Sequence, residues 1–422
     1  MFMAPTPTVA AFARVAQIAA DRRVHRAFQW MHLHEQQIMR WQTELTSIPA
    51  PPFGEQPRAE WLCARFRELG LEDVELDGIG NALGVRKSRL PAERGILISA
   101  HLDTVFPAAT PIHPIVKGTR LEAPGACDNG AGLVCLLAIA AALQHADITP
   151  QCDVIFAGNV GEEGEGNLRG TRFLYEKSGF AERIGAHVVV DGAGHESVVT
   201  EALGSHRYQV TLRGPGGHSW ADAAHPNPIV VLSQAIARLS AVELSASPRT
   251  TINVATIEGG TAVNVVPDCA SARFDFRSTS VDQLVRLEVE LHRAIEDAVL
   301  STNNRRHSRK HNAAAIEFSI NRIGSRPAGA LPNDSALYRV LRAVDRHLGI
   351  RTEPRVASTD ANIPLSLGVP AISLGAGGTG GGIHTTQEWY DAKDRESGLR
   401  RVLLLLLTLA AEESGPCPHH SD

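Results

Sequence analysis

The chain has 422 residues, 43% of them apolar and 21% charged, with a formal net charge of −5. At roughly 150 residues per domain this length predicts two or three domains, and such a composition excludes a disordered or collagen-like chain. The negative balance and an aromatic content of only 5% argue against a nucleic-acid partner, which needs a basic surface or a stacking platform.

Residues 1–33 read as a helical leader, Ala-rich first and then basic at Arg22, Arg23 and Arg26. Such a leader could pack on the body, swap to a partner or stay partly mobile. Residues 8–20 are interrupted by Arg14 and Gln17 and carry no cleavage pattern, so no signal peptide is expected. The Pro-rich stretch 48–52 breaks helix by removing donors and fixing φ, and an amphipathic helix follows at 58–69. An alternation then begins: strand 95–100, helix 131–143, strands 153–157 and 186–190. It predicts an α/β domain with a mostly parallel sheet and helices on both faces. In such sheets the ligand crevice lies beyond the C-terminal strand ends.

A different rhythm occupies 205–320: strand 208–212, helix 226–242, strands 251–257 and 271–276, helix 281–299 and strand 315–320. This β-α-β-β-α-β order predicts a ferredoxin-like domain inserted into the larger one. The expected organisation is therefore a leader at 1–33, a catalytic domain from 34–204 and 321–422, and an insertion at 205–320. The basic run 305–311 reads as a solvated loop. The α/β rhythm resumes with helix 334–348, strand 371–374 and a final helix. Its apolar run 402–407 is far short of the roughly 20 residues that cross a bilayer, so no membrane partner is expected. Six scattered cysteines with no C-x-x-C pair suit neither a disulfide scaffold nor a thiolate zinc site, and imply a reduced, cytoplasmic protein.

The chemistry lies at strand ends. Strand 96–100 runs into His101-Leu102-Asp103, where residues two apart share a face. A carboxylate there can hold the imidazole of a metal-binding histidine, or the pair merely caps a strand. Asp128, among small residues opening an apolar helix, suits an N-cap or a close approach to a metal. Past strand 154–157 comes Gly161-Glu162-Glu163-Gly164-Glu165-Gly166. Adjacent acids repel unless a cation or proton intervenes. One of them can bind metal while the other acts as general base; the alternative is a flexible acidic loop. Asp191 follows strand 187–190, and a lone aspartate there is often turn chemistry. His384 follows the glycine run 375–382. That run matches G-x-G-x-x-G but continues through Gly381 and Gly382 to His384 instead of opening a helix, so no dinucleotide site is expected. Together His101, Asp128, one of Glu162 and Glu163, Asp191 and His384 suit zinc-like ions, and five ligands fit two ions sharing a carboxylate better than one open tetrahedral site.

With these motifs in order, the chain resembles the di-zinc metallopeptidase family of carboxypeptidase G, peptidase T, carnosinase, aminoacylase and succinyl-diaminopimelate desuccinylase, over residues 35–410. The resemblance implies two divalent ions, Zn2+ with Co2+ or Mn2+ as substitutes. It makes Asp128 the bridging ligand, with His101 and Asp191 completing one site and Glu163 and His384 the other. Glu162 is then the general base, Asp103 the carboxylate that orients His101, and the Asp128–Asn129 peptide is cis. Gly216-Gly217-His218-Ser219 resembles the segment whose histidine stabilises the tetrahedral intermediate. Asn264 and Arg277 resemble substrate-binding residues of the same inserted lid, through which a homodimer is implied. The implied reaction is amide hydrolysis. Aspartate at 191 and the stretch His384-Thr385-Thr386-Gln387-Glu388-Trp389 resemble peptidase T, favouring a di- or tripeptide exopeptidase. An N-acyl amino acid deacylase or carboxypeptidase is the alternative, and a silent peptide or metabolite binder the third.

Overall fold

The computed structural model describes residues 7–89, 92–177, 179–307 and 315–413. The chain divides into two compact units, one holding the residues up to Ala202 and from Ala330 onward, the other Leu203–Gly329.

The first unit is built on a nine-stranded sheet. Its centre is four parallel strands in the order Val154–Asn159, Gly95–His101, Ile184–Val190 and Ala371–Leu374. All four are buried along their whole length, as strands covered on both faces must be. The flanks add antiparallel pairs, Glu72–Leu76 with Ala82–Arg86 on one side and Ser197–Ala202 against Ala371–Leu374 on the other. Antiparallel pairing tolerates an open face, and Glu72–Leu76 is largely exposed.

Strand periodicity divides the core. Ile96, Ile98 and Ala100 join a large apolar cluster that includes the helices Gly130–His145 and Arg395–Glu413, whereas Leu97 joins a smaller cluster with Leu168, Leu174 and Tyr175. The helix Gly130–His145 is buried from Gly130 through Leu143, so it lacks a polar face and reads as a core helix. Of the three fates open to the leader, packing on the body is the one found. Helices Pro7–Ala19 and Arg22–Leu33 place Val15, Ala27 and Met31 in the large cluster, and Asp21 caps the second helix by accepting the Arg23 N–H.

A small four-stranded sheet was not legible in the sequence. It joins Thr379–Gly381, Trp389–Asp391, Arg120–Glu122 and Ile115–Lys117, runs of three residues too short to show periodicity. Its first two strands form the hairpin that presents His384.

The second unit is an antiparallel sheet in the order Thr250–Gly259, Cys269–Ser278, Gly204–Arg213, Glu317–Arg326. The helices Pro228–Ser240 and Val281–His307 supply its core with residues such as Val231, Leu232, Leu287 and Leu291. The chain order is β-α-β-β-α-β. Its last strand passes the expected end at 320 and reaches Arg326, because pairing with Gly204–Arg213 continues to Ser205. Residues 305–307 of the basic run close a helix instead of forming a loop; the rest of that run, 308–311, lies outside the described residues, as does Cys417. Among the described residues no helix is long and apolar enough to cross a membrane.

One buried ion pair locks the first unit's last two long helices. Arg401, fully buried, donates from Nε to Asp345 Oδ1 at 2.7 Å and from a terminal nitrogen to Oδ2 at 3.0 Å. Removing one partner strands a buried charge, so Asp345→Ala should cost about 3–5 kcal/mol in urea unfolding while leaving turnover per folded molecule unchanged.

Candidate metal centre

Every residue expected to hold metal lies in the first unit, at or beyond a strand end. His101 closes its strand, Glu162 and Glu163 follow Val154–Asn159, and Asp191 follows Ile184–Val190. Asp128 precedes the helix Gly130–His145, and His384 lies in the hairpin loop with φ of +64°, a conformation rare outside glycine and often kept at functional positions.

The structure brings these residues together. Nε2 of His101 is 3.0 Å from Oδ1 of Asp128 and 3.7 Å from Oδ1 of Asp191. Nε2 of His384 is 3.0 Å from Oδ2 of Asp128 and 2.9 Å from Oε1 of Glu163. Two triads result, His101–Asp128–Asp191 and Asp128–Glu163–His384, with ligand atoms in each lying within 4.8 Å of one another. Asp128 belongs to both and turns one oxygen toward each imidazole. Nδ1 of His101 lies 3.0 Å from the Asp103 carbonyl oxygen and donates to it, so Nε2 is the nitrogen that faces the carboxylates and would bind an ion once its own proton is lost. Imidazole and carboxylate donors gathered in this way fit two divalent ions, one per triad.

Two local readings change. Asp103 holds His101 chiefly through its backbone carbonyl, because its carboxylate is committed elsewhere: Oδ1 accepts the Glu162 N–H at 2.9 Å and Oδ2 the Glu163 N–H at 2.7 Å, while Oδ1 stays 3.6 Å from the ring. Asp103 thus ties the His101 segment to the acidic loop. The helix cap, in turn, is Asn129, which accepts the Gly132 N–H at 3.0 Å and leaves Asp128 free for a ligand. The Asp128–Asn129 peptide is cis, as the resemblance implied.

Sequence reasoning passed over Glu388. It is 1% exposed, and its carboxylate accepts three backbone N–H groups, from Gly125 at 2.8 Å, Cys127 at 2.8 Å and Asp128 at 2.7 Å. A single side chain therefore joins the His384 hairpin to the turn carrying Asp128. The available signal was an acid four residues beyond His384, just before the aromatic pair Trp389-Tyr390.

Charge is strongly coupled here. Hydrogen bonding to Asp128, with Glu163 nearby, raises His384 to about 9 against burial. Burial alone would lower the His101 pKa, but Asp103, Asp128 and Asp191 hold it well above its ordinary value. Burial would likewise raise Asp128, yet the two histidines keep it well below the usual carboxylate range. Burial lifts Glu163, and lifts Glu388 to about 7 despite its three amide donors.

In the second unit, the ribbon Gly217–His218 against Val265–Val266 brings His218 beside the Asn264 segment, and the Ser219 N–H donates to the Asn264 carbonyl at 3.0 Å. Nδ1 of His218 accepts from the Trp220 and Ala221 amides, so the neutral ring carries its proton on Nε2. Arg277 stands apart on Cys269–Ser278, its Nε donating to Asp275 Oδ2 at 2.7 Å.

The model of peptidase family M20/M25/M40 matches residues 97–408, well over half of the chain. The chain belongs to this family. It is a metal-dependent hydrolase of amide bonds. The succinyl-diaminopimelate desuccinylase of Corynebacterium glutamicum is 25% identical over 342 residues, 79% of this chain and 86% of that protein. The aminopeptidase PepT of Bacillus cereus shares the fold with a TM-score of 0.71 at 21% identity, over 89% of this chain and 99% of that one. A dinuclear metal-binding M20 peptidase of Bacillus subtilis gives 0.65 at 16% identity, over 90% and 99%.

The raised histidines yield a pH prediction for the metal-free protein. His384 keeps its proton up to about 9, against 6.5 for the free side chain, so its bonds to Asp128 and Glu163 stabilise the fold fully below about 6.5 and cease to do so as pH rises through 9. A metal must displace that proton. Calorimetric titration with Zn2+ in buffers of different ionisation heat should show apparent affinity rising from pH 6.5 to 9, with proton release fading above 9.

Proposed function

We propose that this protein is an exopeptidase that cleaves one amide bond of a di- or tripeptide, in the manner of peptidase T, using two Zn2+ ions. The observation that carries the reading is the pair of triads sharing Asp128. His101, Asp128 and Asp191 would hold one ion and Asp128, Glu163 and His384 the other, and such ions would supply an acidified water and a polarised carbonyl.

The chain's own residues do the rest. Glu162 belongs to neither triad and is 6% exposed, and its backbone is held by Asp103. It takes the water's proton as general base and returns it to the leaving amine. His218, with its proton on Nε2, is the donor to the developing oxyanion. Arg277 offers its terminal nitrogens to a substrate carboxylate while Asp275 engages Nε, and Asn264, on the separate ribbon beside His218, makes a further substrate contact. A homodimer joined through the inserted unit rests on the family resemblance, and a cytoplasmic location on the scattered cysteines, unpaired among the described residues.

Aspartate at 191 and the His384-Thr385-Thr386-Gln387-Glu388-Trp389 stretch support the peptidase T-like choice. The likeness to a desuccinylase supports a second reading, deacylation of an N-acyl amino acid.

Hydrolysis of a panel of tripeptides, dipeptides and N-acetyl and N-succinyl amino acids, with and without chelator, decides between them. Peptides should be cut faster than acyl amino acids, with activity lost to chelator and restored by Zn2+, Co2+ or Mn2+. The opposite preference would make it a deacylase, and silence across the panel a binder. Glu162→Ala should lower turnover by about 10²–10⁴-fold while atomic absorption still finds two metals per chain. A near wild-type rate would remove the base assignment.

A further inference from the structure

Asn129 is fully buried and directly follows the shared ligand Asp128. Capping the helix uses only one of its contacts. The same Oδ1 that accepts the Gly132 N–H also accepts the Gly192 N–H at 3.1 Å, and Nδ2 donates to the Val190 carbonyl at 2.9 Å. Val190 and Gly192 are the residues on either side of Asp191. One amide therefore brackets the second ligand of a triad while its own backbone continues from the first.

The bracket is closed tightly. A Cβ on Gly132 would lie 2.2 Å from Oδ1 of Asn129 and 2.4 Å from the Val190 carbonyl oxygen, so no side chain fits between them. The neighbouring strand holds the Asp191 segment as well: the Asp191 N–H donates to Leu374 at 2.8 Å, and the Gly192 carbonyl accepts from Ala376 at 2.9 Å. Asn129 is what ties that segment to Asp128. The other triad is fixed differently, Glu163 through its N–H to Asp103 and the His384 hairpin through Glu388.

We infer that Asn129 is a positioning residue for one ion site and not the other. It sets the separation of Asp128 and Asp191, and hence the affinity of the His101–Asp128–Asp191 site, leaving Asp128–Glu163–His384 alone. This rests on the two-ion reading above. A residue that orients a metal ligand is commonly worth about 10–100-fold in metal affinity.

The test is a titration of the metal-free protein with Co2+, read by ligand-field absorption. His384→Ala leaves the first site to be observed, and His101→Ala leaves the second. Adding Asn129→Ala should weaken Co2+ binding by about 10–100-fold in the His384→Ala background and leave it unchanged in the His101→Ala background. Loss of the helix cap alone would lower the melting temperature of both without splitting them. Equal weakening in both backgrounds, or no weakening in the first, overturns the inference. If Asn129→Ala does not fold, Asn129→Ser keeps an uncharged oxygen to cap the helix but is too short to hold both sides of Asp191, and the same split is required of it. Uptake of fewer than two Co2+ by the unaltered chain would instead remove the two-ion reading, whatever Asn129 does.

Discussion

A single carboxylate facing two imidazoles organises this site. Asp128 turns one oxygen to His101 and the other to His384, and the same Nε2 of each imidazole meets a further acid, Asp191 or Glu163. Three carboxylates so close together in a mostly buried space require compensating positive charge. In the metal-free protein protonated histidines provide it, which is why both imidazole pKa values are raised. A divalent ion in each triad would take the place of such a proton and add to the positive charge.

The backbone around Asp128 is built to hold that geometry. Glu388 gathers three amides of the turn before it, Asn129 grips the segment on either side of Asp191, and Asp103 gathers the two amides of the acidic loop. Each of these side chains is buried and saturated with backbone partners, so each converts a flexible loop into a fixed ligand platform. The parallel strands beneath supply the common floor, because their C-terminal ends open on one edge of the sheet.

The strongest features were legible from composition and period. The fully buried strands Gly95–His101 and Ile184–Val190 read as apolar runs, and the β-α-β-β-α-β order of the second unit followed from alternating periods. Candidate ligands stood out because acids and histidines just past apolar strands or among glycines have no packing role. The three-residue strands around Arg120 and Trp389 were not legible, since pairing across 267 to 271 residues leaves no local pattern. Asn129 and Glu388 were invisible for a related reason: each looks like ordinary turn chemistry until its distant partners are known.

The sequence by itself determined which side chains can ligate and on which strand ends they stand, because residue type and hydrophobic period are local properties. Only the tertiary structure decided that Asp128 splits its oxygens between two histidines 283 residues apart. It also decided that Asn129, not Asp128, caps the helix, and that the Asp103 carboxylate serves the acidic loop more than the imidazole. Those outcomes depend on which backbone amides come within about 3 Å of a buried oxygen, a matter of packing between segments far apart in the chain.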